Sequence, residues 1–119
     1  MTNTVLIIDD EDSLRENAAD TLRLEGFNVL EAADGLEGLA IARDHLPDLI
    51  ICDINMPELD GYGVIQELRS DFLTASTPFI FLSAYTSDTD IRAGMNLGAD
   101  DYLTKPFKTR DLLSAVHSR

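Results

Sequence analysis

An acidic pair, Asp9-Asp10, directly follows the apolar run Val5-Leu6-Ile7-Ile8, and Asp53 closes the apolar run Leu49-Ile50-Ile51-Cys52. Ser83 closes another such run, Phe79-Ile80-Phe81-Leu82, while Tyr102 and Lys105 sit on and just beyond the last one. Three carboxylates crowded together repel one another, so such a cluster calls for a cation or a raised pKa. Oxygen-only ligands with positions left for water and phosphate suit Mg²⁺ best, with Mn²⁺ as a substitute. Formal charges of about −3 from the carboxylates and about +3 from Mg²⁺ with Lys105 would leave a pocket that a phosphoryl group can enter. An aspartate there can act as a nucleophile and form an acyl phosphate. The metal and Lys105 would stabilise charge on the equatorial phosphoryl oxygens, and Ser83 is placed to donate a hydrogen bond to one of them.

These side chains can converge only if the elements carrying them end on one edge. Apolar runs alternate with amphipathic stretches along the whole chain. Strands are expected at 5–8, 28–32, 49–52, 77–82 and 101–104, and helices at 13–25, 34–44, from the 55–60 loop to about Ser70, at 88–97 and at 109–118. Ser13 with Glu16, and Asp34 with Glu37, have capping-box spacing. Leu14, Ala18 and Leu22 share one helical face, and Gly26 stops that helix. His45-Leu46-Pro47 ends the second. Near-continuous apolar first, third and fourth strands imply a parallel sheet covered on both faces, with the short second and fifth runs at its edges. The expected architecture is a doubly wound α/β sheet in the order 2-1-3-4-5 with right-handed crossovers. In that order the first and third strands are neighbours at the switch point, so Asp9 and Asp10 approach Asp53. Ligands of open α/β sheets bind at this carboxyl edge.

The 119 residues suit one domain with a single good core. Nine basic against 22 acidic residues give a formal net charge of −13, which argues against direct binding to nucleic acid or to an anionic membrane. Solubility alone explains most of that charge. The single cysteine, Cys52, lies inside a core strand and reads as a buried structural thiol. With neither a secretory signal nor a membrane span in the sequence, the chain reads as cytoplasmic. Whether it is a complete one-domain protein or a piece of a longer one stays open.

Four blocks in order carry a specific resemblance: 5–11 (Val-Leu-Ile-Ile-Asp-Asp-Glu), 53–61 (Asp-Ile-Asn-Met-Pro-Glu-Leu-Asp-Gly), Ser83-Ala84, and 98–107 (Gly-Ala-Asp-Asp-Tyr-Leu-Thr-Lys-Pro-Phe). Over essentially its full length, 1–119, the chain resembles a receiver domain of two-component response regulators, the CheY-like superfamily. The resemblance implies a flavodoxin-like (βα)5 three-layer sandwich and a signalling phosphoacceptor, not an enzyme beyond catalysing its own phosphorylation and dephosphorylation. Asp53 would accept the phosphoryl group from a phosphohistidine of a sensor histidine kinase or phosphotransfer protein. Asp10 and Asp53 would ligate Mg²⁺, Asp9 would act directly or through water, and the backbone carbonyl of Asn55 would be a further ligand. Ser83 and Tyr102 occupy the positions of the family's switch hydroxyl and switch aromatic, and Lys105 would contact the phosphoryl group across a cis bond to Pro106. Asn55 and Tyr85 would flank the pocket mouth and adjust the acyl-phosphate lifetime. Movement of Ser83 and Tyr102 would alter the surface of the fourth helix, fifth strand and fifth helix, which an output domain, a partner or a second copy in a homodimer would read.

Taken singly, each residue has an ordinary reading: aspartates after strands as helix caps, Ser83 as turn chemistry, Lys105 as a solvated cation, Tyr102 as a half-buried strand aromatic. Other site classes fit less well. The stretch from Asp53 begins like a calcium loop, but Pro57, Glu58 and Val64 fall where its ligands and glycine belong. A dinucleotide domain would need a glycine-rich loop where this chain has Asp-Asp-Glu-Asp. An aspartyl-phosphate phosphohydrolase needs similar carboxylates but also a cap, and a pseudo-receiver that binds partners without phosphorylation typically lacks one of the key residues. His45 and His117 have no ligand partner at useful spacing.

Overall fold

In the computed structural model, which describes residues 3–84 and 88–118, strands and helices alternate without exception. The order is β1 (Thr4–Ile8), α1 (Asp12–Leu24), β2 (Asn28–Ala32), α2 (Gly35–His45), β3 (Leu49–Asp53), α3 (Gly61–Ser70), β4 (Phe79–Ser83), α4 (Asp88–Asn96), β5 (Asp101–Thr104) and α5 (Thr109–His117). The strands form one parallel sheet in the order β2-β1-β3-β4-β5, the expected doubly wound topology. β3 and β4 are buried along their whole length, whereas the edge strands β2 and β5 are mostly half-buried. A central parallel strand is covered on both faces and must be apolar throughout, as their sequences are.

Alternation along each strand sorts side chains into two cores. Leu6, Ile8, Ile50, Cys52, Phe79 and Phe81 pack with Leu39 and Ala42 of α2 and Val64, Ile65 and Leu68 of α3. Val5, Ile7, Leu49, Ile51, Ile80 and Leu82 pack with Ala18, Ala19 and Leu22 of α1 and Leu112, Ala115 and Val116 of α5. α4 lies on the first of these faces, its Gly94 so close that an added Cβ would stand 3.0 Å from the Phe81 ring. The result is a three-layer sandwich with helices on both faces.

Two helix starts differ from the sequence reading. α1 begins at Asp12, with Glu11 as N-cap and no side-chain cap bond, so Ser13 and Glu16 form no capping box. The chain is already turned into the helix by the acidic pair, because Asp9 Oδ1 accepts the Glu11 N–H at 2.9 Å. At α2, Asp34 accepts the Glu37 N–H at 2.8 Å as expected, but the Glu37 carboxylate reaches back to the Ala33 N–H at 3.1 Å, one residue earlier than a capping box. β4 starts at Phe79, after a turn in which the Thr77 N–H meets the Thr74 carbonyl at 3.1 Å and after Pro78, which has no N–H to give. Among the described residues no helix is long and apolar enough to cross a membrane.

Candidate functional site

Strand register brings the first two carboxylates together. Ile8 pairs with Cys52, so the next residues on β1 and β3 are Asp9 and Asp53. Both continue the alternation of Val5, Ile7, Leu49 and Ile51, the residues beneath α1 and α5. Lys105 follows Leu103 by two residues and shares that side; its N–H bonds the Ser83 carbonyl at 2.7 Å, holding the segment after β5 to the end of β4. The geometry follows from this placement. Lys105 Nζ lies 3.0 Å from Asp9 Oδ2 and 3.3 Å from Asp53 Oδ1. One oxygen each of Asp9, Asp10 and Asp53 falls within 4.8 Å of the others. Asp10 is exposed at the rim, while the Asp9 and Asp53 side chains are 0% and 7% exposed.

Burying two like charges side by side has a measurable consequence. Burial, then repulsion from Asp9, raises the Asp53 pKa from 3.8 to about 6, against the lowering effect of Lys105. Burial also works against the Lys105 charge, but its contacts with Asp9, then Asp53, outweigh burial and raise its pKa above the ordinary 10.5. One ammonium does not offset the acidic cluster. Asp9 Oδ2 is fully buried and, among the described residues, receives no hydrogen bond and has only the Lys105 ammonium as counter-charge, at 3.0 Å. A buried, oxygen-only donor set with an unsatisfied carboxylate oxygen fits a hard divalent cation such as Mg²⁺.

The remaining expected residues lie on the same edge. Ser83 is buried at the last position of β4, where it pairs with Thr104. Tyr102, half-buried on β5, packs its ring 6.3 Å from Phe81 and against the core under α2 and α3. Asn55 is exposed just beyond β3. The peptide between Lys105 and Pro106 is cis, as expected. Tyr85 lies outside the described residues. Cys52 is buried, its thiol pushed well above its ordinary pKa by burial and then by the Asp53 and Asp9 charges, which makes it a poor nucleophile.

Two supports of the site went unread in the sequence. Gly61 opens α3 hard against the strand that carries Asp53: an added Cβ would stand 2.5 Å from the Asp53 carbonyl oxygen. Arg15, on α1, donates to the backbone carbonyl of Asp9 at 2.9 Å. Its signal was available as a lone basic residue among the acidic first turns of the chain.

A sequence model of the response regulator receiver domain matches residues 5–117. The DNA-binding dual master transcriptional regulator RpaA of a Synechocystis strain is 40% identical over 96% of this chain, but over only 47% of its own length. The DNA-binding response regulator MtrA of Mycolicibacterium paratuberculosis is 37% identical over 100% of this chain and 52% of its own. The chain thus spans about half the length of these relatives. Among solved structures, the chemotaxis protein CheY4 of Vibrio cholerae superimposes with a TM-score of 0.94 at 35% identity, covering 99% of this chain and 98% of that one.

Proposed function

The chain belongs to the response regulator receiver domain family, and from that membership we propose that Asp53 accepts a phosphoryl group from the phosphohistidine of a sensor histidine kinase or phosphotransfer protein. The observation that carries this reading is the convergence of Asp9, Asp10, Asp53 and Lys105 at one end of the sheet, with the ammonium 3.3 Å from the acceptor carboxylate. In the transfer, an Asp53 oxygen attacks phosphorus as the P–N bond to histidine breaks, and the imidazole leaves with that electron pair. Asp9, Asp10, Asp53 and the Asn55 carbonyl are the residues that would hold Mg²⁺, which when bound supplies charge stabilisation to the phosphoryl oxygens. Lys105, its ammonium 3.3 Å from Asp53, would turn to meet one of those oxygens. Ser83, at the end of the neighbouring strand, would donate to another.

The output follows from the same side chains. Phosphorylation adds about −1.5 to −2 charges at the rim. A Ser83 hydroxyl drawn toward them leaves room that the Tyr102 ring, which packs beside Phe81 and close to Gly94 of α4, can enter. The surface of α4, β5 and α5 then changes for an output domain, a partner or a second copy. RpaA and MtrA are DNA-binding by name, and control of transcription is the output this kinship favours. With its charge of −13 the domain described here would not itself touch DNA. We place the domain boundaries at 1–119 and its location in the cytoplasm.

The test is the intact mass after incubation with acetyl phosphate or phosphoramidate, in Mg²⁺ and in EDTA, alongside Asp53→Asn. A single phosphoryl adduct that needs Mg²⁺ and is lost in the variant is the expected result. Equal yield in EDTA or in the variant would remove Asp53 from its role. No adduct from either donor or from sensor kinases would leave a phosphorylation-independent binding module.

A further inference from the structure

β1 makes its last pairing at Ile8, so the Asp9 carbonyl points beyond the sheet and needs a partner from elsewhere. The partner is Arg15, whose guanidinium donates to that oxygen at 2.9 Å. The Arg15 side chain is 12% exposed and is anchored from behind: Nε reaches Glu31 Oε1 on β2 at 3.3 Å. Glu31 in turn meets Arg23 at 3.2 Å. Arg15 also touches Asp12 at 2.9 Å, but Asp12 is 74% exposed and that pair is weak.

We infer that Arg15, braced by Glu31, is a positioning residue for divalent-cation binding: it fixes the Asp9-Asp10 peptide and thereby the direction of both carboxylates. This deepens the proposed function and rests on its metal site. The physical basis is the planarity of the peptide unit. The Asp9 carbonyl and the Asp10 N–H belong to one rigid plane, so holding the oxygen orients the Cα atoms on both sides. Asp9 is then held at three points: its N–H on the Ala32 carbonyl at 3.1 Å, its carbonyl on Arg15, and its Oδ1 under the Glu11 N–H at 2.9 Å. Only Oδ2 remains directed at the cluster.

Charge and positioning predict opposite signs, which makes the inference testable. Arg15 is a cation near a cation site; if charge alone mattered, removing it would tighten Mg²⁺ binding. If it positions the acidic pair, removing it weakens binding, as loss of partners behind metal ligands does by about 10- to 100-fold. The experiment is calorimetric Mg²⁺ titration of the wild type, Arg15→Gln, Arg15→Lys and Glu31→Gln. Amide hydrogen exchange at Asp10 and Glu11 is followed in EDTA, with urea unfolding as the check on folding. Expected are about 10-fold weaker binding in Arg15→Gln, a smaller loss in Glu31→Gln and in Arg15→Lys, and faster exchange at both amides. Lysine keeps the charge but cannot span Asp9 and Glu31 together, so its rescue is partial. Tighter or unchanged binding in Arg15→Gln, with exchange unaltered, overturns the inference while leaving the metal site standing. A wild type that binds no Mg²⁺ overturns the site itself, and the metal-free exchange still decides whether Arg15 holds the pair. Should Arg15→Gln fail to fold, Glu31→Gln carries the test, and unchanged affinity and exchange there count against the brace.

Discussion

Replacing Asp53 with asparagine should stabilise the metal-free protein at neutral pH. Asp53 lies beside Asp9 with its side chain 7% exposed, and its pKa stands at about 6 instead of 3.8. A difference of about 2 units at about 1.4 kcal/mol each means that ionising Asp53 in the folded protein costs about 3 kcal/mol. That figure already includes the opposing attraction of Lys105, and solvent at the open rim reduces it to about 2 kcal/mol. Asparagine keeps the shape and drops the charge. For a domain of this size the gain corresponds to a rise of roughly 6–10 °C in Tm. The sign with pH follows from linkage. The folded state holds its Asp53 proton to higher pH than the unfolded state, so this group's stabilising contribution is complete below about pH 4 and is lost as pH rises through about 6. The gap between variant and wild type should therefore be near zero at pH 4 and full at pH 7.5. Urea unfolding of both proteins in EDTA at pH 4, 6 and 7.5 measures it, and the difference cancels the titration of the other carboxylates. Mg²⁺ at pH 7.5 should narrow the gap by stabilising the wild type alone. A variant no more stable than wild type at pH 7.5, or a gap that ignores pH, would refute the argument from buried repulsion.

Lys105→Met removes the ammonium that lies 3.0 Å from Asp9 and 3.3 Å from Asp53; the metal-free protein should lose about 3 kcal/mol in urea unfolding at pH 7.5, and added Mg²⁺ should restore part of it. Gly61→Ala reverses an ordinary sign. Alanine in a helix normally gains up to about 1 kcal/mol over glycine, but here its Cβ meets the Asp53 carbonyl at 2.5 Å and Ile54 Cα at 2.8 Å, both backbone. A loss of about 2 kcal/mol or more is expected in the same assay, with weakened Mg²⁺ binding because the displaced segment carries Asp53. A Gly61→Ala protein as stable as wild type would show that α3 can shift freely against β3.

Much of the fold was written in local pattern. Apolar runs and amphipathic stretches have periods readable over a few residues, and they gave the strands and helices nearly to the residue at Asn28–Ala32 and Asp101–Thr104. Buried central strands differ from half-buried edges in composition alone, and that difference, with right-handed crossovers, was enough for the order β2-β1-β3-β4-β5. The types and positions of Asp9, Asp10, Asp53, Ser83, Tyr102 and Lys105 were equally plain, because each ends or follows such a run. Local reading failed at a helix start. Ser13 and Glu16 had the right spacing for a cap, but the Arg15 N–H already bonds the Glu11 carbonyl, so the helix begins earlier and Ser13 lies inside it.

Tertiary structure decided what spacing along the chain cannot encode. Ile8 pairing with Cys52 puts Asp9 beside Asp53, 44 positions away in the chain, and that contact together with burial gives the raised Asp53 pKa and the ion pairs of Lys105. The reach of Arg15 to the Asp9 carbonyl, its brace on Glu31, and the close approach of Gly61 to β3 are likewise matters of through-space distance. Residue type and period fix which side chains can do chemistry. Coulomb repulsion and desolvation depend on separation and burial, so only the packed sheet sets how strongly those side chains act on one another.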